Sequence, residues 1–205
     1  MTRMDRSERS IMNVIPPPIP LPEHSAPPCA LDCQRCELAR QRTRVIWGEG
    51  RPSAPLYVLL DNPGAREDRE GREFVCGTRE TLQEGLHAAG IPLTDVYVTY
   101  LLKCRPIRAY DKPAAREACS VHLQAQFDEG RPRLLLGLGN VVAQAVCRSD
   151  EAEVKQLRGA VREIDGIRTV FSYHPLAVRR RPNLRRLFDE DLALAARSFI
   201  KLKYD

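Results

Sequence analysis

Four short apolar runs, each followed by a stretch of helical periodicity, confine this 205-residue chain to an α/β architecture. Leu56 to Leu60, Val96 to Leu102, Leu134 to Leu138 and Thr169 to Ser172 are largely apolar at consecutive positions rather than alternate ones. Strands of that kind are buried on both faces, as parallel strands are when helices cover them. Leu82, Leu86 and Ala89 mark one face of a helix after the first run, and further helices are expected over 113–128, from about Asn140, and over 183–202. The expected fold is a three-layer α/β/α sandwich around a mostly parallel, four-stranded sheet. Ligands of such sheets bind beyond the carboxyl ends of the strands. That rule gathers residues 61–77, 103–111, Gly139-Asn140 and 173–181 around any site.

Residues 1–28 contain seven prolines, so this part is expected to be an extended or disordered tail, with the domain occupying 29–205. The tail's apolar stretch is too short and interrupted for a signal sequence. No apolar run approaches a membrane span, so a membrane partner is not expected. A net charge of +5 favours an anionic partner. The charge is also concentrated: Arg179, Arg180, Arg181, Arg185 and Arg186 follow directly on Tyr173-His174-Pro175. A run like this is commonly a solvated face, but beside a histidine at a strand end it suits phosphate binding.

Seven cysteines are spread along the chain. Cys29, Cys76 and Cys147 read as small core hydrophobes. Cys33 and Cys36 form a Cys-x-x-Cys clip that lets two thiolates reach one metal centre, and Cys104 and Cys119 are distant thiols that could complete it. A thioredoxin-like redox pair is the other reading of the clip, but it follows a proline-rich segment instead of a strand. A disulfide framework fits poorly with an odd cysteine count and a chain long enough to bury its own core. Thiolate ligands alone do not separate zinc from an iron-sulfur cluster.

The motifs run in the order Cys-x-x-Cys, Gly48-Glu49-Gly50, Asn62-Pro63-Gly64 with Glu67-Asp68, Gly71 with Phe74-Val75, Lys103-Cys104-Arg105-Pro106, Cys119, Leu138-Gly139, Leu157-Arg158-Gly159 and His174-Pro175. Over residues 31–192 this order resembles the iron-sulfur, family-4 type of uracil-DNA glycosylase. The resemblance implies a [4Fe-4S] cluster on Cys33, Cys36, Cys104 and Cys119, zinc being the alternative. It implies a monomer that cleaves the N-glycosidic bond of a damaged base in single- or double-stranded DNA, in the cytoplasm or, in a bacterium, at the nucleoid. Such an enzyme must flip the nucleotide out of the stack and hold the base in a pocket. Phe74 matches the aromatic that stacks on the flipped base, with Pro63 and Gly64 bordering it. His174 matches the histidine that donates to the departing base.

Three departures from the family pattern bear on the reaction. The family has Gly-Glu-Ala-Pro-Gly where this chain has Leu60-Asp61-Asn62-Pro63-Gly64. Asn before Pro-Gly resembles the mismatch-specific and single-strand-selective branches, where it orients the attacking water; Asn62 is the expected substitute, assisted by Asp61 or Glu67. The same four residues are also good turn formers without any catalysis. The second departure is Tyr100, standing where the family has the Asn that pairs with uracil. A phenol offers one donor and one acceptor at a single atom, so two-point reading of uracil is lost, and hypoxanthine or xanthine become candidate bases. Cys76 replaces a family glycine beside the pocket and narrows it.

DNA contacts are expected from Arg105, Arg108, Arg180 and Arg181, with Leu176 as the wedge entering the duplex. Against the glycosylase stand a catalytically inactive DNA-binding or damage-sensing module on the same scaffold and, further off, an unrelated cysteine-metal protein.

Overall fold

The computed structural model describes residues 16–69 and 75–204, with side chains up to Ile200. Among these residues seven strands form one sheet, in the order β1-β2-β4-β3-β5-β7-β6. β1 (Glu23–His24) and β2 (Gly48–Gly50) are short antiparallel additions at one edge. β3 (Leu56–Leu60), β4 (Val96–Tyr100), β5 (Leu134–Leu138) and β7 (Ile167–Ser172) are mutually parallel and correspond to the four apolar runs. β6 (Val161–Ile164) closes the other edge as an antiparallel hairpin with β7. The three edge strands were not expected; with two to four residues each they carry no periodicity to read.

Every residue of β3, β4 and β5 is buried, as parallel strands covered on both faces require. Alternate side chains divide the core in two. Leu56, Val58, Leu60, Val96, Val98, Tyr100 and Leu136 pack on Leu82 and Leu86 of α3 (Gly77–Ala88) and on Phe188, Leu192 and Ala195 of α8 (Arg185–Tyr204). Tyr57, Leu59, Tyr97, Leu101 and Leu135 face Leu123 and Phe127 of α4 (Lys112–Gly130) and Val142 of α5 (Asn140–Cys147). α4 starts where the Asp111 carboxylate accepts the Ala114 N–H at 3.0 Å and Pro113 occupies the first turn. It ends at Arg131 in the left-handed region, directly before Pro132.

The described part of the proline-rich tail is extended and packed into the domain. Leu21 is buried among the α3 and α8 side chains, and the Ile19 backbone exchanges two hydrogen bonds with the Gln83 amide. Beyond it, α1 (Pro28–Leu31) and a 3-10 turn at Glu37–Arg40 enclose a small second core of Ala30, Leu38, Val45, Trp47, Leu102 and Ala115.

The chain leaves β3 towards β4 on one side and leaves β5 towards β7 on the other. A crevice therefore opens at the carboxyl ends of β3 and β5, the position where open α/β sheets take ligands. Three short helices rim this end or the adjoining edge: α2 (Ala65–Arg69), α6 (Val154–Leu157) and α7 (Pro175–Arg180).

Candidate functional site

A cavity of about 620 Å³ occupies this crevice, lined by Asp61, Asn62, Glu67, Arg79, Tyr100 and His174 among others. The loop after β3, α2, the start of α3, the end of β4 and α7 each contribute a wall. A groove of about 670 Å³ lies elsewhere, between α4, α5 and the β6–β7 hairpin, and carries none of the expected site residues.

His174 is the N-cap of α7, and its Nδ1 accepts the Leu176 backbone N–H at 3.1 Å. That bond requires an unprotonated Nδ1, so the neutral ring carries its proton on Nε2. Nε2 is 3.6 Å from Asp61 Oδ1. Burial lowers the His174 pKa below its ordinary value; Asp61 and Glu67 oppose the shift and Arg79 reinforces it. The ring is thus held neutral, with an N–H donor facing the cavity. Beneath it lies Gly139, at φ +97°, where an added Cβ would come within 3.2 Å of the His174 Cβ. Only glycine combines that backbone with so close an approach.

Asn62 is oriented by its own turn. Its Nδ2 donates to the Pro63 carbonyl at 2.9 Å and its backbone N–H donates to Asp61 Oδ1 at 2.8 Å. With the amide nitrogen engaged, Oδ1 remains as an acceptor in the cavity. Asp61 is itself fixed by its carbonyl, which accepts the Leu102 N–H and extends the β3–β4 pairing past the strand ends. Pro63 is buried behind the loop and is not part of the lining, whereas Gly64 is. Cys76 is no core filler: it borders the cavity, and its thiol donates to Glu67 Oε1 at 3.2 Å. Burial, and then the Glu67 carboxylate, raise the Cys76 pKa and keep that proton in place. Cys29, also expected inside, is exposed.

The floor of the cavity holds Tyr100, which lies on the α3 side of the sheet, and Arg79 on the buried face of α3. Arg79 donates from Nε to Glu49 and from Nη2 to the Tyr100 hydroxyl. Burial raises the Tyr100 pKa, so the phenol keeps its proton.

The basic cluster resolves into two kinds of residue. Arg179 pairs with Glu80 at 3.0 Å, Arg185 with Glu84 at 2.8 Å and Arg186 with Glu190 at 3.6 Å, the first two fastening α7 and α8 to α3. Arg180 and Arg181 are exposed on the cavity rim and have no carboxylate partner among the described residues. Leu176 is beside them, 40% exposed. Arg105 points elsewhere: its Nη1 is 4.0 Å from Oδ2 of the fully buried Asp68, away from the lining. Arg108 is exposed, its backbone N–H held by Gln41. Phe74 lies outside the described residues.

Cys33, Cys36, Cys104 and Cys119 line one small hollow between the Cys-x-x-Cys segment, the loop after β4 and α4. Among the described residues no three His, Cys, Asp or Glu side chains are grouped to hold a single metal ion. Donors already point at three of the sulfurs: Lys103 N–H to Cys119 at 3.3 Å, Arg42 Nη1 to Cys104 at 3.6 Å, and His122 Nε2 beside Cys33 at 3.3 Å. Burial pushes the Cys104 thiol up to about 11, so ionising it needs a compensating positive charge. Four thiols around an apolar hollow, with N–H donors to sulfur, fit an iron-sulfur cluster, whose irons each take one thiolate.

Two important residues escaped the sequence reading. Arg79 falls at the helical spacing of Leu82 and Leu86, and a charge on that apolar stripe was the available signal. Asp68 was legible only as part of a motif. Its Oδ1 accepts the N–H groups of Thr43 and Arg44, which joins α2 to the segment after the Cys-x-x-Cys clip.

The family model described as Uracil DNA glycosylase superfamily matches residues 47–196. The Type-4 uracil-DNA glycosylase of Archaeoglobus fulgidus is 31% identical, covering 78% of this chain and 85% of that protein. The Type-4 enzyme of Thermotoga maritima is 32% identical, covering 82% and 90%. A Type-5 uracil-DNA glycosylase of Pyrobaculum aerophilum is 33% identical over a shorter stretch, 51% of this chain and 46% of that protein.

Proposed function

The chain belongs to the uracil DNA glycosylase superfamily, and from that premise we propose that Asn62 and His174 are the catalytic pair of its excision reaction. It is a monofunctional DNA glycosylase of base excision repair, acting on DNA and leaving an abasic site. The observation that carries the residue assignment is the convergence of an oriented amide oxygen and a neutral imidazole N–H on one strand-end cavity.

Cleavage of the N-glycosidic bond develops positive charge on the sugar and negative charge on the departing base. Asn62 Oδ1 accepts a hydrogen bond from the attacking water and so aims its lone pair at the sugar carbon. The Asp61 and Glu67 carboxylates supply negative potential on the sugar side. His174 Nε2–H donates to an oxygen of the leaving base, and as a neutral donor it need not lose a full charge afterwards. Phe74 stacks on the flipped base, Arg180 and Arg181 hold phosphates, and Leu176 fills the space the nucleotide vacates. The protein works as a monomer in the cytoplasm, on single- or double-stranded DNA. Among the described residues no helix is long and apolar enough to cross a membrane.

Cys33, Cys36, Cys104 and Cys119 hold a [4Fe-4S] cluster, whose contribution is to cross-link the Cys-x-x-Cys segment, the loop after β4 and α4. Asp68 then carries that rigidity to α2 and the cavity wall.

The test is incubation of purified protein with oligonucleotides bearing uracil, hypoxanthine, xanthine or mismatches, followed by alkaline cleavage. Strand breaks are expected, and they should vanish in His174→Ala and Asn62→Ala. Binding without breaks across the whole panel would establish a non-catalytic module instead. A visible charge-transfer absorbance lost in Cys104→Ala checks the cluster; a colourless native protein would refute it.

A further inference from the structure

The pocket floor has an unassigned polar group of unusual kind. Arg79 is 3% exposed, yet its Nη1 has no hydrogen-bond partner among the described residues, while Nε and Nη2 are committed to Glu49 and Tyr100. The Tyr100 hydroxyl accepts from Arg79, and no acceptor for its own proton stands among the described residues. Both residues border the cavity. A buried guanidinium N–H₂ without an acceptor is costly to maintain, and a ligand acceptor would remove that cost.

We propose that Arg79 and Tyr100 form a donor-only floor that reads the flipped base by two neighbouring acceptors, and that the preferred base is a 6-oxopurine, hypoxanthine or xanthine, rather than uracil. This rests on the glycosylase reading above and names the substrate class of the same site. A 6-oxopurine presents O6 and N7 side by side, the pair that arginine contacts most often on base edges. The pairing edge of uracil alternates acceptor, donor, acceptor, so any two neighbouring groups include N3–H, which would meet a donor on this floor. Glu49 and Glu67 stand near Arg79 and more than offset the burial that works against its charge, so the donor stays a cation. Charge-assisted bonds from a cation are roughly twice as strong as neutral ones. Guanine shares the O6/N7 edge, but paired to cytosine it stays in the stack, whereas a deaminated purine is mispaired and flips at lower cost.

The test uses the full chain with its metal centre and measures single-turnover release of hypoxanthine, xanthine and uracil from otherwise identical oligonucleotides. The native protein should release at least one oxopurine about tenfold or more faster than uracil, the worth of one buried hydrogen bond. Tyr100→Phe should narrow that ratio by about tenfold, and Tyr100→Asn, which supplies an amide donor and acceptor, should turn it towards uracil. A role confined to packing would alter rates without moving the ratio. Thermal unfolding identifies folded variants, and Tyr100→Phe, the smallest change, carries the test if the Asn variant does not fold. Uracil released faster than both oxopurines by the native protein, or a ratio unchanged in Tyr100→Phe, overturns the inference and leaves the glycosylase standing. Release of no base at all, with His174→Ala indistinguishable from native, overturns both.

Discussion

Replacing Asp68 with alanine should uncouple the strand-end cavity from the cysteine-lined hollow. The carboxylate is fully buried on α2, with Oδ1 accepting the N–H groups of Thr43 at 3.0 Å and Arg44 at 3.3 Å. Among the described residues Oδ2 has no hydrogen-bond partner, and it is 4.0 Å from Arg105 Nη1, in the loop after β4. Hydrogen bonds to a charged acceptor contribute about 1.5–3 kcal/mol each, and the longer Arg44 bond belongs at the lower end. The pair is therefore worth about 3–5 kcal/mol. Removing a desolvated carboxylate returns part of this, so about 3 kcal/mol is expected for Asp68→Ala. At roughly 2–4 °C per kcal/mol for a chain of this size, Tm should fall by about 6–12 °C. Asp68→Asn keeps an oxygen acceptor without the charge and should lose about half as much. The assay is thermal unfolding by circular dichroism of the three proteins, read beside excision rate and the visible absorbance. An alanine variant within about 2 °C of the native Tm, or an asparagine variant as damaged as the alanine one, would refute the reasoning.

Three other outcomes follow from the same geometry. The His174 pKa lies below its ordinary value of 6.5, so its neutral form contributes stability fully above the unfolded pKa, and this is lost as pH falls through the folded value. Excision should share that acid limb and be flat at neutral pH; a pH–rate profile in which His174→Gln keeps the limb would assign it to another group. Gly139→Ala should cost about 1–3 kcal/mol through its φ of +97° and displace the imidazole above it, so excision should fall more than the Tm shift explains; equal effects would show that the ring had not moved. Binding to a duplex should lose salt dependence by about 0.9 in log–log slope for each of Arg180→Ala and Arg181→Ala, whereas Arg105→Ala should leave the slope unchanged because its guanidinium faces Asp68. A slope reduced by Arg105→Ala would place that side chain on a phosphate.

Much of the layered core could be read from the chain because burial on both faces leaves a local mark. Leu56 to Leu60 and Leu134 to Leu138 are apolar at every position but Gly137, Tyr57 presenting mostly ring, and no other element type needs so short and continuous a run. Glu23–His24 and Gly48–Gly50 left no such mark, since an edge pair of two or three residues is made by its neighbour's hydrogen bonds and not by its own pattern. The same contrast runs through the site. Asn62 and His174 stood out through the motifs that carry the resemblance, Asn-Pro-Gly and His-Pro, and the contacts that orient them are local: Asn62 binds the next residue's carbonyl, and His174 caps the helix that starts after it. The surroundings of Arg105 were not legible, because a guanidinium in a strand-end loop looks free until Asp68, 37 positions earlier in the chain, is brought beneath it.

By itself, the amino-acid sequence determined the four parallel core strands, through their continuous apolar runs, and set out the cysteines, the Asn62 loop and His174-Pro175 as motifs. Only the tertiary structure decided what stands on the cavity floor. Tyr100 occupies the α3 side of the sheet because Val96 and Val98 put even positions there, and Arg79 reaches it across a 21-residue separation. Glu49, on an edge strand, completes the group. A hydrogen-bonding floor assembled from a helix, a core strand and an edge strand has no sequence pattern, because its geometry exists only after the sheet has brought the three together.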